Sequence, residues 1–163
     1  SRGLGDVYKR QENVLRVRKE FVPYYDIHNA DDSRPYPGIP ELLSYLQDAG
    51  IQITVASNKY QAATQKLIDH YFPEIHFTAV FGQREGIKVK PDPTVVFDIL
   101  EVAKVTKEEV LYVGDSGVDM QTAANAGVTV CGVTWGFRPR AELEEFSPQS
   151  IVDTAEEIKR LIL

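Results

Sequence analysis

Short apolar runs alternate with helix-forming segments along most of this 163-residue chain. Residues 51–56 and 110–113 are two such runs, and each has the length of a buried strand. The segments between the runs have helical spacing and carry helix-ending signals such as Gly50 and Gly127. This alternation is typical of βαβ units, in which helices cover both faces of a parallel sheet. We therefore predict an α/β fold whose ligands bind beyond the carboxyl ends of the strands.

The element boundaries follow from turn residues and helix-capping signals. Asp92 is predicted to cap a helix whose first residue is Pro93, and Asp153 with Glu156 to form a capping box for the last helix. Residues 14–28 have a loose helical spacing that Pro23 interrupts. The predicted strands cover residues 51–57, 77–81, 110–113, 128–133 and 151–152, and further predicted helices cover 40–49, 60–71, 116–127 and 141–146.

Composition limits the classes of partner. A net charge of −6, with scattered acidic residues, argues against nonspecific nucleic-acid binding, which depends on surplus Lys and Arg. No apolar run approaches the ~20 residues that span a bilayer. The single cysteine, Cys131, lies in an apolar run and is predicted to be a buried core residue. We therefore expect a cytoplasmic protein without nucleic-acid or membrane partners, and its oligomeric state stays open.

Two carboxylates follow the apolar run at 110–113. Asp115 leaves the predicted strand through a glycine turn, and Asp119 lies in the first turn of the next helix. Residues four apart on a helix share a face, so both carboxylates can point at one spot and offer the oxygen ligands that suit Mg²⁺. The alternative is that Ser116 and Asp119 only form a capping box, which their spacing also matches.

Two further polar segments are predicted at the same edge of the sheet. Ser57 and Asn58 end a strand, where a hydroxyl and backbone N–H groups can hold phosphate oxygens; a plain helix N-cap is the alternative. Lys90 precedes Pro91 in a Lys-Pro-Asp-Pro turn, and such a stiffly presented cation can neutralise a phosphoryl group. A solvated loop lysine is the alternative for Lys90. Together with Asp115, these segments predict a site for a metal-bound phosphate.

In this order, the motifs resemble those of the haloacid dehalogenase (HAD) superfamily of phosphatases. Residues 57–59 (Ser-Asn-Lys) resemble its second motif, Lys90 with Pro91 its third, and residues 114–119 (Gly-Asp-Ser-Gly-Val-Asp) its fourth. Residues 132–137 (Gly-Val-Thr-Trp-Gly-Phe) and 34–38 (Arg-Pro-Tyr-Pro-Gly) resemble the phosphoglycolate phosphatase branch. The resemblance implies a Rossmann-like, HAD-like parallel sheet with helices on both faces.

The resemblance also implies a mechanism and a set of roles. An aspartate at the end of the first strand attacks phosphorus and forms a phospho-aspartyl intermediate, and a second aspartate two residues on acts as acid and base. Ser57 and Asn58 would bind the phosphate, and Lys90 would stabilise its charge. Asp115 would help to hold Mg²⁺, with Asp119 supporting it through water or an indirect contact. The implied substrate is a small phosphorylated metabolite such as phosphoglycolate.

The chain departs from the family at its first motif. The sequence contains no Asp-x-Asp-Gly-Thr: Asp31 and Asp32 are adjacent in a predicted linker, and Asp6 follows no apolar strand. We therefore expect residues 1–33 to be a leader and the remnant of a helical cap. Residues 34–163 are expected to form a HAD-like core that lacks its first, central strand. An N-terminally truncated chain of this kind is expected to have no significant phosphatase activity.

Two alternatives remain open at this point. The chain could belong to another member of the superfamily, such as a sugar-phosphate phosphatase or a mutase. It could instead be a non-catalytic module that binds phosphate or metal. A sheet without its middle strand would leave backbone groups unpaired, so we also expect marginal stability or oligomer formation unless neighbouring strands close the gap.

Overall fold

A computed structural model describes residues 20–22 and 35–162 of the chain, which form strands, helices and a short 3₁₀ helix at Lys107–Glu109. The strands are β1 (Glu20–Val22), β2 (Gln52–Tyr60), β3 (Ala79–Gln83), β4 (Val110–Gly114), β5 (Thr129–Val133) and β6 (Ser150–Val152). The helices are α1 (Ile39–Asp48), α2 (Gln61–Tyr71), α3 (Thr94–Ala103), α4 (Gly117–Ala126), α5 (Arg140–Glu144) and α6 (Ala155–Ile162).

The described strands form one parallel sheet. Its strand order is β3-β2-β1-β4-β5-β6, and every neighbouring pair runs in parallel. The carboxyl ends of the strands therefore meet at one edge, where the loops that follow β2 and β4 lie close together. The α/β fold that the alternating pattern predicts is confirmed.

The central position of the sheet is held by β1. Phe21 pairs with Ile53 of β2 on one side, and Val22 pairs with Tyr112 of β4 on the other. The expectation of an empty central position is therefore wrong, and so is the helical interpretation of residues 20–22. Backbone N–H and C=O groups along β2 and β4 need partners, and parallel pairing uses only backbone atoms. A short extended segment can satisfy them whatever its side chains are.

Other predictions for the start of the chain lie outside the described residues. These are the leader, the remnant of the cap, and the surroundings of Asp6, Asp31 and Asp32. In the sequence of β1, Glu-Phe-Val, there is no aspartate. The strand at the centre of the sheet is therefore not the Asp-x-Asp strand that the family resemblance implies.

The core lies on both faces of the sheet. Successive residues of β4 alternate between the faces, with Leu111 and Val113 in one cluster and Val110 and Tyr112 in the other. Helices α1, α2 and α6 cover the first face, and α3, α4 and α5 cover the second. Cys131 is fully buried, as predicted, and burial raises the pKa of its thiol to about 12. Among the described residues, the helices lack the length and apolar character of a membrane span.

Helix ends agree with the capping signals to within a residue or two. Ser116 is the N-cap of α4, which ends at Gly127 in a left-handed conformation with φ 75°. The last helix begins one residue later than predicted, because Thr154 and Glu157, rather than Asp153 and Glu156, make the capping contacts.

Candidate functional site

The end of β2 leaves the regular ladder where the first polar motif lies. The pairing register with β3 shifts between Ala56 and Tyr60, so residues 57–59 form an irregular stretch near the carboxyl end of β2. Ser57 is buried, and its Oγ accepts a hydrogen bond from the backbone N–H of Lys59 at 3.1 Å. Helix α2 begins at Gln61 with Tyr60 as its N-cap, so the plain N-cap interpretation of Ser57 and Asn58 is wrong.

Asn58 joins this end of β2 to the loop that carries Lys90. Its Nδ2 donates to the backbone oxygen of Lys90 at 3.2 Å, and its Oδ1 accepts from the backbone N–H of Lys90 at 3.0 Å. Both halves of the side-chain amide therefore contact the backbone of Lys90. Asn58 thus positions the second loop against the first, and its predicted contact with phosphate stays a prediction.

Lys90 is a buried cation. It is 4% exposed, and its Nζ donates to Asp119 Oδ1 at 2.8 Å and to the backbone oxygen of Ala56 at 3.3 Å. The alternative of a solvated loop lysine is therefore wrong. Because a buried charge is costly unless it is paired and hydrogen-bonded, the contact with Asp119 explains why Lys90 can lie here. Its ammonium joins the residue before Ser57 to the first turn of α4.

Asp119 accepts hydrogen bonds on both carboxylate oxygens. Oδ1 accepts from Lys90 Nζ and from the hydroxyl of Tyr112 at 2.9 Å. Oδ2 accepts from the backbone N–H of Asp115 at 3.2 Å and from Ser116 Oγ at 3.0 Å. Ser116 Oγ in turn accepts from the backbone N–H of Asp119, so the capping interpretation also holds for this pair. The carboxylate of Asp119 is fully buried within this network.

Asp115 lies at the end of β4 and is 4% exposed. Its backbone contacts Asp119, and its side chain packs against Gly136 in the loop after β5. The structure therefore brings the predicted Ser57, Lys90 and Asp115 segments into one network of contacts. Sequence reasoning missed Tyr112, although a hydroxyl within a buried run signals a partner. It included Gly136 in the 132–137 segment but did not predict its contact with Asp115.

The sequence of the chain matches a known protein family. The sequence profile described as haloacid dehalogenase-like hydrolase matches residues 4–133. The chain belongs to the haloacid dehalogenase-like hydrolase family. The resemblance that the three motifs carry is thereby confirmed.

Named members of the haloacid dehalogenase-like family agree with the branch that the sequence indicates. A phosphoglycolate phosphatase of Mesorhizobium japonicum is 34% identical over 152 residues. A phosphoglycolate phosphatase of Pseudomonas syringae pv. tomato is 31% identical over 127 residues. A solved structure from Lactobacillus delbrueckii subsp. bulgaricus, provisionally named a phosphoglycolate phosphatase, is 36% identical and superposes with a TM-score of 0.76.

The chain spans only part of these haloacid dehalogenase-like relatives. The match takes in 90% of this chain but 66% of the Mesorhizobium protein, and 78% of this chain but 46% of the Pseudomonas protein. For the Lactobacillus structure, the corresponding shares are 82% and 57%. The activity of a whole relative is therefore not carried over to this chain as a finding.

The fit of a Mg²⁺ ion to the described residues is incomplete. Within residues 20–22 and 35–162, no group of three or more His, Cys, Asp or Glu side chains is placed to hold a metal ion. Asp119, one of the two predicted ligands, already accepts hydrogen bonds on both oxygens. Mg²⁺ requires six oxygen ligands, of which proteins usually supply a few. The metal roles of Asp115 and Asp119 therefore stay predictions.

Two cavities show where a ligand of this family has room. The cavity lined by Ser57, Asn58 and Lys90 measures about 10 Å³, roughly the space of one water molecule. A cavity of about 680 Å³ lies between α1 and α6; Trp135 borders it, but Ser57, Lys90 and Asp115 do not. Among the described residues, neither of these two cavities encloses room for an anion beside Ser57, Lys90 and Asp115.

Proposed function

We propose that this chain carries the phosphate-binding loops of a phosphoric monoester hydrolase that acts on a small phosphorylated acid such as phosphoglycolate. The observation that carries the proposal is the position of Lys90. Its ammonium contacts the backbone just before Ser57 and the carboxylate of Asp119, which in turn contacts the backbone of Asp115. The names of the curated relatives support phosphoglycolate as the substrate.

Each loop then has its own task. The hydroxyl of Ser57 and the backbone N–H of Asn58 bind phosphate oxygens at the end of β2. Lys90 stabilises the negative charge of the transferring phosphoryl group, because Asp119 and Ala56 hold its ammonium in a fixed place. Asp119 acts through Lys90 and through the backbone of Asp115.

Asp115 is the proposed protein ligand of a Mg²⁺ ion. It would hold the ion together with water and phosphate oxygens, and Asp119 would support it indirectly. A bound Mg²⁺ would neutralise charge on the phosphoryl oxygens.

The nucleophile is the missing part. A phospho-aspartyl intermediate requires an Asp-x-Asp strand, and no Asp-x-Asp occurs in the sequence. In the described fold, the central position between β2 and β4 is held by Glu20–Val22 instead. Hydrolysis therefore requires an Asp-x-Asp strand in place of β1, and this chain is expected to be inactive.

A fusion tests this proposal. Residues 1–22 are replaced by the N-terminal strand and cap of the Mesorhizobium relative, and release of phosphate from 2-phosphoglycolate is measured with Mg²⁺ present. The fusion is expected to hydrolyse the substrate, whereas the chain alone should not exceed its Asp115→Asn variant. The chain alone could instead hydrolyse the substrate and lose that activity in Asp115→Asn. This result would contradict the claim that the chain lacks its nucleophile. A folded but inactive fusion would overturn the proposed function.

A non-catalytic phosphate-binding module is the second candidate. Two observations favour it. Both carboxylate oxygens of Asp119 accept hydrogen bonds from protein donors, and the sequence contains no Asp-x-Asp. Calorimetric titration of the chain with inorganic phosphate, combined with the activity of the fusion, separates the two. Phosphate binding by the chain with an inactive fusion would favour the module. A panel of sugar phosphates tested on an active fusion separates phosphoglycolate from the substrates of other family members.

A further inference from the structure

Gly136 lies directly against the side chain of Asp115. A β-carbon added to Gly136 would lie 2.6 Å from Asp115 Cβ and 2.7 Å from its Cγ, and it would overlap Oδ2. Real β-carbons essentially never approach other heavy atoms within 3.0 Å. Any larger residue at position 136 must therefore displace either Asp115 or the loop after β5.

The requirement for glycine here is steric and not conformational. Glycines with positive φ in the described chain are Gly38, Gly50, Gly86 and Gly127, and Gly136 is not among them. Backbone strain therefore gives no reason to exclude alanine at position 136. One of the crowded atoms is Asp115 Cβ, which a change of rotamer cannot move away.

The loop that carries Gly136 has little freedom to retreat. Thr134 donates its backbone N–H to the backbone oxygen of Val152 at 3.1 Å, and its hydroxyl donates to Asp153 at 2.7 Å. The next residue, Trp135, packs on Tyr36 with the ring centroids 6.4 Å apart. Because the loop is anchored just before Gly136, a methyl group there would shift the carboxylate of Asp115.

The second carboxylate of the site has a matching neighbour. A β-carbon on Gly114 would lie 2.6 Å from Asp119 Cγ and 2.8 Å from its Oδ2. Gly114 also lacks a positive φ. Each of the two aspartates is thus packed on the bare Cα of a glycine.

We propose that Gly136 is a positioning residue: the absence of its side chain is what lets the Asp115 carboxylate occupy its place at the carboxyl edge. The task of that carboxylate rests on the proposed function, whereas the steric coupling of the two residues does not. The two parts can therefore fail separately.

A double-mutant cycle on the full chain tests the coupling. The variants are Gly136→Ala, Asp115→Gly and the combination, and urea unfolding of each is followed by circular dichroism. Asp115→Gly removes the three atoms that lie nearest to the new methyl group. Gly136→Ala should therefore lower the unfolding midpoint in the parent chain and lower it by less than half as much in the Asp115→Gly background.

Gly132→Ala is the matched control, because Gly132 lies on β5 and its added β-carbon would meet Leu143, Ile151 and Met120 instead. Its effect should be the same with and without the Asp115 side chain. Equal losses for Gly136→Ala in both backgrounds, or no loss in the parent, would overturn the proposal. If Gly136→Ala alone fails to fold, the double variant should fold, and failure of both would also overturn it.

A functional arm separates positioning from a general loss of stability. In an active fusion, Gly136→Ala should lower kcat towards the value of Asp115→Asn and change KM for 2-phosphoglycolate by less than twofold. The Ser57 and Lys90 loops keep their own contacts, which is why substrate binding should survive. An unchanged kcat in folded Gly136→Ala would overturn the positioning role. An inactive fusion would count against the proposed function and leave the unfolding cycle to decide on Gly136.

Discussion

Lys90 Nζ lies 2.8 Å from Asp119 Oδ1, and the two side chains are 2% and 0% exposed. The pair joins the turn before α3 to the first turn of α4. Both residues follow strands of one parallel sheet, so their contact holds a loop and a helix start together at the carboxyl edge. The stability of the site therefore depends on each of the two side chains balancing the buried charge of the other.

Replacing Lys90 by Met should destabilise the chain strongly. The substitution leaves the carboxylate of Asp119 buried without its cation, which typically costs about 3–5 kcal/mol. Urea unfolding measures the loss. The matched control is Glu144→Gln, which breaks an ion pair with Arg140 whose side chains are 52% and 58% exposed. Exposed pairs contribute about 0–1 kcal/mol, so comparable losses for the two variants would contradict the buried pair.

Tyr112→Phe should show the contribution of a single hydroxyl. The ring of Tyr112 stays in the core, but the hydrogen bond to Asp119 is lost. A hydrogen bond to a charged group is worth about 1.5–3 kcal/mol, and the unfolding free energy should fall by that amount. Tyr45→Phe is the control, because Tyr45 is 42% exposed and its change should cost less than about 0.5 kcal/mol. Equal effects at both positions would show that the Tyr112 hydroxyl does not support Asp119.

Asp92 should make the stability of the chain depend on acid pH. Hydrogen bonds from the hydroxyl and then the backbone N–H of Thr94 hold the pKa of Asp92 below its ordinary value of 3.8. A lowered folded-state pKa contributes stability that is present above the ordinary value and is lost as pH falls through the folded value. The stability difference between the parent and Asp92→Ala, measured by urea unfolding, should therefore shrink as pH falls below 3.8. A difference that stays constant into strong acid would contradict this assignment.

Cys131 offers a reporter of local opening. It is the only cysteine, it is fully buried, and burial raises the pKa of its thiol to about 12. The thiolate is the reactive form, so an aromatic disulfide at about pH 8 should label the native chain at least ~10²-fold more slowly than free cysteine. Lys90→Met should accelerate labelling because it lowers the free energy of opening. Native labelling at the rate of a free thiol would contradict the buried environment.

Much of the fold follows from local signals. The run at 110–113 is apolar at every position because β4 is buried on both faces, and Ser116 and Gly127 mark the ends of α4 by capping chemistry. Capping signals fix an end only approximately when polar residues are adjacent. Asp153 and Thr154 both suit an N-cap, and the structure uses Thr154.

The rest depends on contacts between distant parts of the chain. Lys90 and Asp119 are separated by 29 residues, and only the folded sheet brings them together. The motif resemblance indicated that both belong to one site, but it did not show that Asp119 holds Lys90. No local sequence signal marks the strand at Glu20–Val22. Its position is set by backbone pairing with β2 and β4, which are distant in sequence. The crowding of Gly136 on Asp115 is likewise visible only in three dimensions.

Steady-state hydrolysis of 2-phosphoglycolate by the fusion carrying Lys90→Gln tests the central claim most directly. Removing a fixed charge that stabilises the transition state typically costs about 10²–10³ in kcat, and a loss of that size is expected. Arg140→Gln, which changes a half-exposed cation away from the site, should keep the parent rate. With each variant confirmed as folded, Lys90→Gln at the parent rate would contradict the account.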